Sequence, residues 1–217
     1  MELNQGIRQA RYFKKDEYPA GNIIYSFIYE AYKLTPSKQF IMPYKIHVFG
    51  PKNEYEKEIL YRATKGKMKY QYKQTNMNYQ VLAPYVLLFT SRLCSNPNKE
   101  VQRQIDRGLA HQSCDPKEYK RARKVPTMEV GMFCNNLSNI CLRNGLNIAY
   151  TACYPDFIDD DILKNIDAPT DALKDVKDEI IYLSMSIGYA DPNKSHQEKI
   201  ERIGYCKPHI NEIIDWH

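Results

Sequence analysis

Two arginines, Arg8 and Arg11, stand three residues apart in the opening segment LNQGIRQARYF. If the segment is helical, that spacing puts both on one face. Forked guanidinium donors suit a phosphate dianion, and each charge-assisted hydrogen bond to one contributes roughly 1.5–3 kcal/mol. The same pair also reads as a solvated basic face. A second basic run, KEYKRARK from Lys117 to Lys124, admits two roles as well: a solvated face or lid, or an attractor for the phosphates of a nucleotide. Lys and Tyr interleave between residues 65 and 72, a pattern able to bind single-stranded nucleic acid, but the stretch is short and lies within the fold. Asp159, Asp160 and Asp161 lack the ligand spacing of a calcium loop. They suit the positive end of a helix instead. The six cysteines, at 94, 114, 134, 141, 153 and 206, include no Cys-x-x-Cys pair, so neither a zinc site nor a thioredoxin-like couple is indicated. Five histidines show no paired ligand spacing, and no metal is expected. No acid–base dyad or nucleophile stands out, so no catalytic side chain is nominated.

The elements that must position such residues centre on Met128 to Pro155. Val130, Phe133, Leu137, Ile140 and Cys141 recur at helical spacing, and Met132 and Leu142 widen the apolar arc, which predicts burial on more than one side. Thr127 is placed to cap this helix, after Pro126. Gly145 falls where a left-handed terminating residue is wanted. Leu146, Ile148 and Tyr150 then alternate as a strand. Cys134 and Cys141 read as small buried hydrophobes.

Earlier in the chain, residues 20–34 predict a helix that buries Ile23, Ile24, Phe27, Ile28, Ala31 and Leu34 and ends at Pro36. A proline-punctuated loop leads from it to a strand over Lys45 to Phe49. Residues 53–72 read as a polar helix breaking at Gly66, and Val81 to Phe89 as a strand covered on both faces. Residues 92–127 are poorly patterned, and residues 179–188 form a further strand. At 217 residues this is one domain, spanning 1–217. A net charge of +5 is mild for a dedicated nucleic-acid binder. The longest apolar run is too short to span a bilayer. The amino terminus has no apolar signal-peptide core, which places the protein in the cytoplasm and away from the membrane.

The central helix, Gly145-Leu146 and the strand that follows resemble the nitroreductase family of FMN-dependent oxidoreductases. Partial motifs occur elsewhere in the family's order. Arg8, Arg11 and Phe13 match three positions of its opening Arg-Arg-Ser-x-Arg-x-Phe pattern, with Ile7 and Gln9 as departures. Pro36, Ser37 and Pro43 match a Pro-Ser-x-x-Asn-x-Gln-Pro-Trp segment, in which Phe40 and Met42 replace both amides and Tyr44 replaces the Trp. Asn76 lies seven residues before Ala83, as in the family, and Gly188-Tyr189 resembles its Gly-Tyr-Pro.

The resemblance implies an α+β fold of three α/β/α layers, with a mixed central sheet flanked by helices and two chains intertwined as a homodimer. It also implies FMN as cofactor and NADPH or NADH as donor. Arg8 and Arg11 would grip the phosphate, completed by Arg202 and Lys207 near the carboxyl end. Pro36 and Ser37 would reach the flavin of the partner subunit. Asn76 would meet the pyrimidine edge, and the backbone of Ala152 and Cys153 would approach the redox nitrogen. Cys153 has no basic neighbour in sequence to lower its pKa, so a redox thiol is not indicated. The implied activity is two-step hydride transfer from NAD(P)H to nitroaromatics, quinones or similar small molecules. Two alternatives stay open: a specialised flavoprotein of the same fold, and a basic nucleic-acid-binding protein without flavin.

Overall fold

A computed structural model describes residues 9–37, 42–72, 78–92, 99–107, 124–177 and 179–194. In chain order the elements are α1 (Gly21–Leu34), β1 (Tyr44–Phe49), α2 (Glu54–Tyr72), a 3-10 turn (Tyr79–Leu82), β2 (Tyr85–Ser91), α3 (Lys99–Asp106), α4 (Lys124–Arg143), β3 (Asn147–Thr151), α5 (Asp160–Asn165) and β4 (Ile181–Gly188). The four strands form one sheet in the order β1-β2-β4-β3. Every neighbouring pair is antiparallel. The parallel pairing that would make the sheet mixed, as expected from sequence, does not occur among the described residues.

Strand β2 shows how three layers arise. Its residues 85–90 are all buried, and successive side chains point to opposite faces. Tyr85, Leu87 and Phe89 join a core with Ile24 and Ala31 of α1 and Val130, Phe133, Leu137 and Cys141 of α4. Val86 and Leu88 join a second core with Ile59 and Leu60 of α2 and Leu163 of α5. The near-continuous apolar reading of this segment is therefore correct. The strand itself begins later than expected, at Tyr85: Val81 and Leu82 belong to the 3-10 turn, and Ala83 and Pro84 link the two.

Helix α4 carries the buried face expected of it, but it begins at Lys124, so Thr127 lies inside the first turns and does not cap. Pro126 is tolerated there because N–H groups of a first turn have no intrahelical acceptor. Met132 is exposed rather than buried. The helix ends as Gly145 predicts, at φ 75°. Leu146 N donates to the Cys141 carbonyl at 3.0 Å and Gly145 N to the Leu142 carbonyl at 3.1 Å, the paired bonds of a Schellman motif. Burial pushes the Cys141 thiol up to about 12 and raises the Cys134 thiol as well, as befits buried hydrophobes.

Three other expectations are corrected. Helix α2 continues through Gly66; a single glycine inside a helix costs only about 1 kcal/mol relative to alanine and does not end it. Ile23 and Leu34 of α1 are exposed, while Ile24 and Ala31 are buried. Residues 9–14 are not helical: Arg11 and Tyr12 form a bend and Phe13 a β-bridge. Ala10 N donates to the Ile148 carbonyl at 2.9 Å and Phe13 bridges Ala190. Pairing with the sheet edge overrides any helical spacing of the arginines. The acidic run behaves as read: Asp159 caps α5 by accepting from Ile162 N at 2.8 Å.

Gly188, the last residue of β4, is packed where no side chain fits. A Cβ there would meet Pro84 Cδ at 3.0 Å and Phe13 Cδ1 at 3.1 Å. Gly188→Ala is expected to lower stability by about 1–2 kcal/mol through overpacking. The urea midpoint measures this, and an unchanged midpoint would mean that Phe13 does not close over β4.

Candidate functional site

Three separate parts of the chain meet β3: the amino-terminal segment, which runs along it toward its amino end, and the 3-10 turn and the chain that follows Thr151, both at its carboxyl end. The first is the amino-terminal segment. Gln9 Oε1 accepts from Tyr150 N at 3.0 Å, and Tyr12 O accepts from Asp191 N at 3.0 Å. Arg11, half-buried, sits between these two anchors. The second is the 3-10 turn. Gln80 Nε2 donates to Thr151 Oγ1 at 2.9 Å and to Asn78 Oδ1 at 3.3 Å. Tyr79 stacks on Tyr12, ring centroids 5.2 Å apart, and on Tyr61 at 5.6 Å. Burial, and the hydrogen bond that the Tyr61 hydroxyl donates to Tyr79, push the Tyr61 phenol above its ordinary value. The third is the end of β3 itself, with Ala152 exposed and Cys153 half-buried.

That strand end is fixed from both sides. Tyr150 and Ser138 hydrogen-bond each other, and both reach the Cys134 carbonyl, which ties β3 to α4. Beyond Thr151, the buried Tyr154 hydroxyl pairs with Ser184 Oγ at 2.9 Å. The backbone of Ala152 and Cys153 is thus held between two anchors after strand pairing has ceased. Among the described residues, no acceptor is recorded for either of their N–H groups.

Two buried polar atoms at this site have no hydrogen-bond partner: Asn78 Nδ2 and Gln80 Oε1. Both residues escaped sequence reading. The signal was present, as two amides two positions apart in an otherwise apolar approach to β2, a place where polar side chains need a reason.

Pro36 and Ser37 lie elsewhere, beyond the carboxyl end of α1 near edge strand β1. Three strand-to-strand steps of about 4.8 Å separate β1 from β3, so one chain does not bring these residues to Arg11, Ala152 and Cys153. Ser37 Oγ accepts from Met42 N at 2.8 Å, and Met42 O accepts from Arg92 Nε at 2.9 Å. These bonds hold Met42 at φ 47°, a conformation costly for a non-glycine residue. Beside it opens an apolar groove of about 500 Å³, lined in part by Tyr25, Tyr29, Tyr32, Met42 and Phe133. The expected site residues Arg8, Asn76, Arg202 and Lys207, with Phe40, lie outside the described residues, as does the basic run before Lys124.

A separate polar cluster joins β1, β2 and the lead-in to β4. Glu179 accepts from Thr90 Oγ1 at 2.6 Å and Lys45 Nζ at 3.1 Å, and pairs with His47 Nε2 at 2.7 Å. Burial pushes the Glu179 carboxyl up, but these hydrogen bonds outweigh it, and the carboxyl lies below its ordinary 4.5. A carboxyl depressed in the folded state contributes stability above its unfolded pKa and loses it as pH falls through the folded one. The stability difference between the native chain and Glu179→Gln is therefore expected to shrink as pH is lowered from 6 through about 4. Urea midpoints across that range check it; a difference independent of pH would contradict this pairing.

Among the described residues no cluster of metal-binding side chains occurs, and no helix is long and apolar enough to cross a membrane. No protein-family model and no curated protein matches the chain. Solved structures do. A candidate NAD(P)H:FMN oxidoreductase from Staphylococcus epidermidis aligns over 97% of this chain and 92% of its own, with a TM-score of 0.62 at 10% identity. A candidate nitroreductase from Exiguobacterium sibiricum, in complex with FMN, aligns over 98% and 94%, with a TM-score of 0.58 at 18% identity. A BluB-like flavoprotein from Clostridium difficile aligns over 100% and 99%, with a TM-score of 0.61 at 15% identity. The chain has a nitroreductase-like α+β fold.

Proposed function

We propose that this protein is an FMN-dependent NAD(P)H oxidoreductase of the nitroreductase kind, and that FMN binds at the carboxyl end of β3. The observation that carries this reading is the gathering along β3, within a nitroreductase-like fold, of the Arg11 segment on the side of its amino end and of the Asn78–Gln80 turn and the Ala152–Cys153 backbone at its carboxyl end. The donor set fits the cofactor. A guanidinium suits the phosphate, backbone N–H groups with no acceptor among the described residues suit electron-rich ring nitrogen, and orphaned amide atoms suit the polar pyrimidine edge. FMN bound here supplies hydride transfer between NADPH or NADH and a nitroaromatic, quinone or similar acceptor. The chain's part is to hold and orient it: Arg11, with Arg8, Arg202 and Lys207, at the phosphate, Asn76 at the ring, and the anchored Ala152–Cys153 backbone at the redox side.

The working unit is a homodimer. Tyr25, Tyr29 and Tyr32 of α1 and Met128 and Met132 of α4 are exposed apolar residues on helices that cover the same face of the sheet, the kind of surface that a second subunit covers. Pro36, Ser37 and the groove beside Met42 then serve the cofactor of the partner subunit, which accounts for their separation from Arg11 within one chain. Cytoplasmic residence and independence of membrane and nucleic acid complete the reading. Light scattering at micromolar concentration is expected to give twice the 25.5 kDa chain mass; a monomeric mass would contradict the dimer.

The enzymatic claim is tested by loading the protein with FMN and adding NADPH or NADH without oxygen. Bleaching of the flavin bands by either donor supports the reductase. A specialised flavoprotein is the second reading, favoured by Met42 in place of a family amide and by the similarity to a BluB-like flavoprotein. Bound flavin that neither donor reduces would favour it.

A further inference from the structure

Lys57 of α2 is only 4% exposed. Its Nζ donates to the Ala83 carbonyl at 3.0 Å and to the Pro84 carbonyl at 3.2 Å, on the two residues that link the 3-10 turn to β2. An ammonium has three N–H donors. Two are taken. Among the described residues, neither an acceptor for the third nor a carboxylate within ion-pair distance is recorded. A buried cation without a counter-charge is costly. Burial pushes the Lys57 ammonium below its ordinary 10.5; the Glu54 charge opposes this and the Lys15 charge adds to it.

This ammonium is not sealed in. Lys57 lines a cavity of about 490 Å³ together with Lys15, Asp16, Tyr18, Glu54 and Glu58, all of them exposed. Among the described residues Asp16 and Glu54 make no ion pair, and Glu58 reaches Arg62 only at 3.9 Å. The cavity therefore has two ends of unlike charge. Inside is one buried cation; at the mouth three carboxylates outnumber the single Lys15 ammonium. A plain anion suits the first end and is repelled by the second, and a plain cation meets the reverse.

We propose that this cavity binds a small zwitterion, an amino-carboxylic acid whose carboxylate accepts from Lys57 Nζ and whose ammonium lies among Asp16, Glu54 and Glu58. The carboxylate supplies the counter-charge and the missing acceptor in one group. The ligand's ammonium pairs with carboxylates that are otherwise only solvated, and the Tyr18 ring at the mouth offers a further face to a cation. None of these residues belongs to the proposed flavin site, so the two readings stand or fall separately.

The test titrates the protein by calorimetry with 6-aminohexanoate, hexanoate and hexylammonium. FMN is present in excess, so that the proposed flavin site does not report. The native protein is expected to bind 6-aminohexanoate. Hexylammonium, which lacks the carboxylate, is expected to bind about tenfold or more weaker, the loss of a buried charge-assisted hydrogen bond. Hexanoate is expected to bind about threefold weaker, the scale of solvent-exposed ion pairs. Lys57→Met should weaken 6-aminohexanoate by about tenfold or more. Asp16→Asn combined with Glu54→Gln should bring 6-aminohexanoate and hexanoate to equal affinity; it replaces exposed residues, so it decides the case even where Lys57→Met does not fold. A native protein that binds none of the three would overturn the proposal, and Lys57 would then serve only to hold the Ala83 and Pro84 carbonyls. Hexanoate bound as tightly as 6-aminohexanoate would overturn the zwitterion. A folded Lys57→Met that keeps native affinity would also overturn the assignment.

Discussion

Replacing Phe133 by alanine is expected to cost about 3–5 kcal/mol of folding stability. Phe133 is 1% exposed, on the buried face of α4. Its ring meets Tyr44 of β1 edge-on at 5.9 Å and Phe89 of β2 at 5.6 Å, while Tyr44 and Phe89 lie 6.2 Å apart. The substitution removes the ring from water-free packing, opens a cavity that rigid strands cannot collapse, and breaks two aromatic contacts worth roughly 0.5–1.5 kcal/mol each beyond their area. Against a total of about 5–15 kcal/mol for an ordinary domain, that is a large fraction. Phe133→Leu keeps most of the volume and is expected to cost much less. Denaturant unfolding should show a lower midpoint at an unchanged slope. A loss below about 1 kcal/mol would mean that α4 does not pack on the β1–β2 half of the sheet.

The second large effect concerns the ligand. Arg11→Ala is expected to weaken FMN by tenfold or more, corresponding to loss of one charge-assisted hydrogen bond of roughly 1.5–3 kcal/mol. Arg11→Lys should recover part of the loss, because an ammonium keeps the charge but not the fork. Arg11 sits between the Gln9 and Tyr12 anchors, and those bonds are made by Gln9's side chain and by backbone, not by the Arg11 side chain. Titration by fluorescence quenching measures the change. Unaltered FMN affinity would remove the phosphate from this part of the chain.

Much of the frame was legible because burial is written as periodicity. The stripe Val130, Phe133, Leu137, Ile140, the stop at Gly145 and the run ending at Phe89 each carry one local rule that tertiary structure did not override. Where the reading failed, a nonlocal contact decided. Arg8 and Arg11 would share a face if their segment were helical, yet hydrogen bonding to the edge of β3 and a bridge to Ala190 hold residues 9–14 in a non-helical course. Ile23 and Leu34 followed the helical pattern of α1 but lie on the side away from the sheet, a position that no spacing within one helix reveals. Gly66 counted as a breaker only because the rest of α2 is polar and lends the helix little apolar periodicity. The site was the least legible part. Arg11, Ala152 and Cys153 were reached through family resemblance, whereas Asn78 and Gln80 became visible only when their partners could be counted.

The most direct test of the account is the visible absorption spectrum of the purified protein, taken alone and during titration with FMN. The account predicts saturable binding at one FMN per chain, with shifted flavin bands that persist after removal of free ligand. A spectrum in which added FMN stays as in free solution, and washes away completely, would contradict a cofactor site at the end of β3 and with it the proposed chemistry.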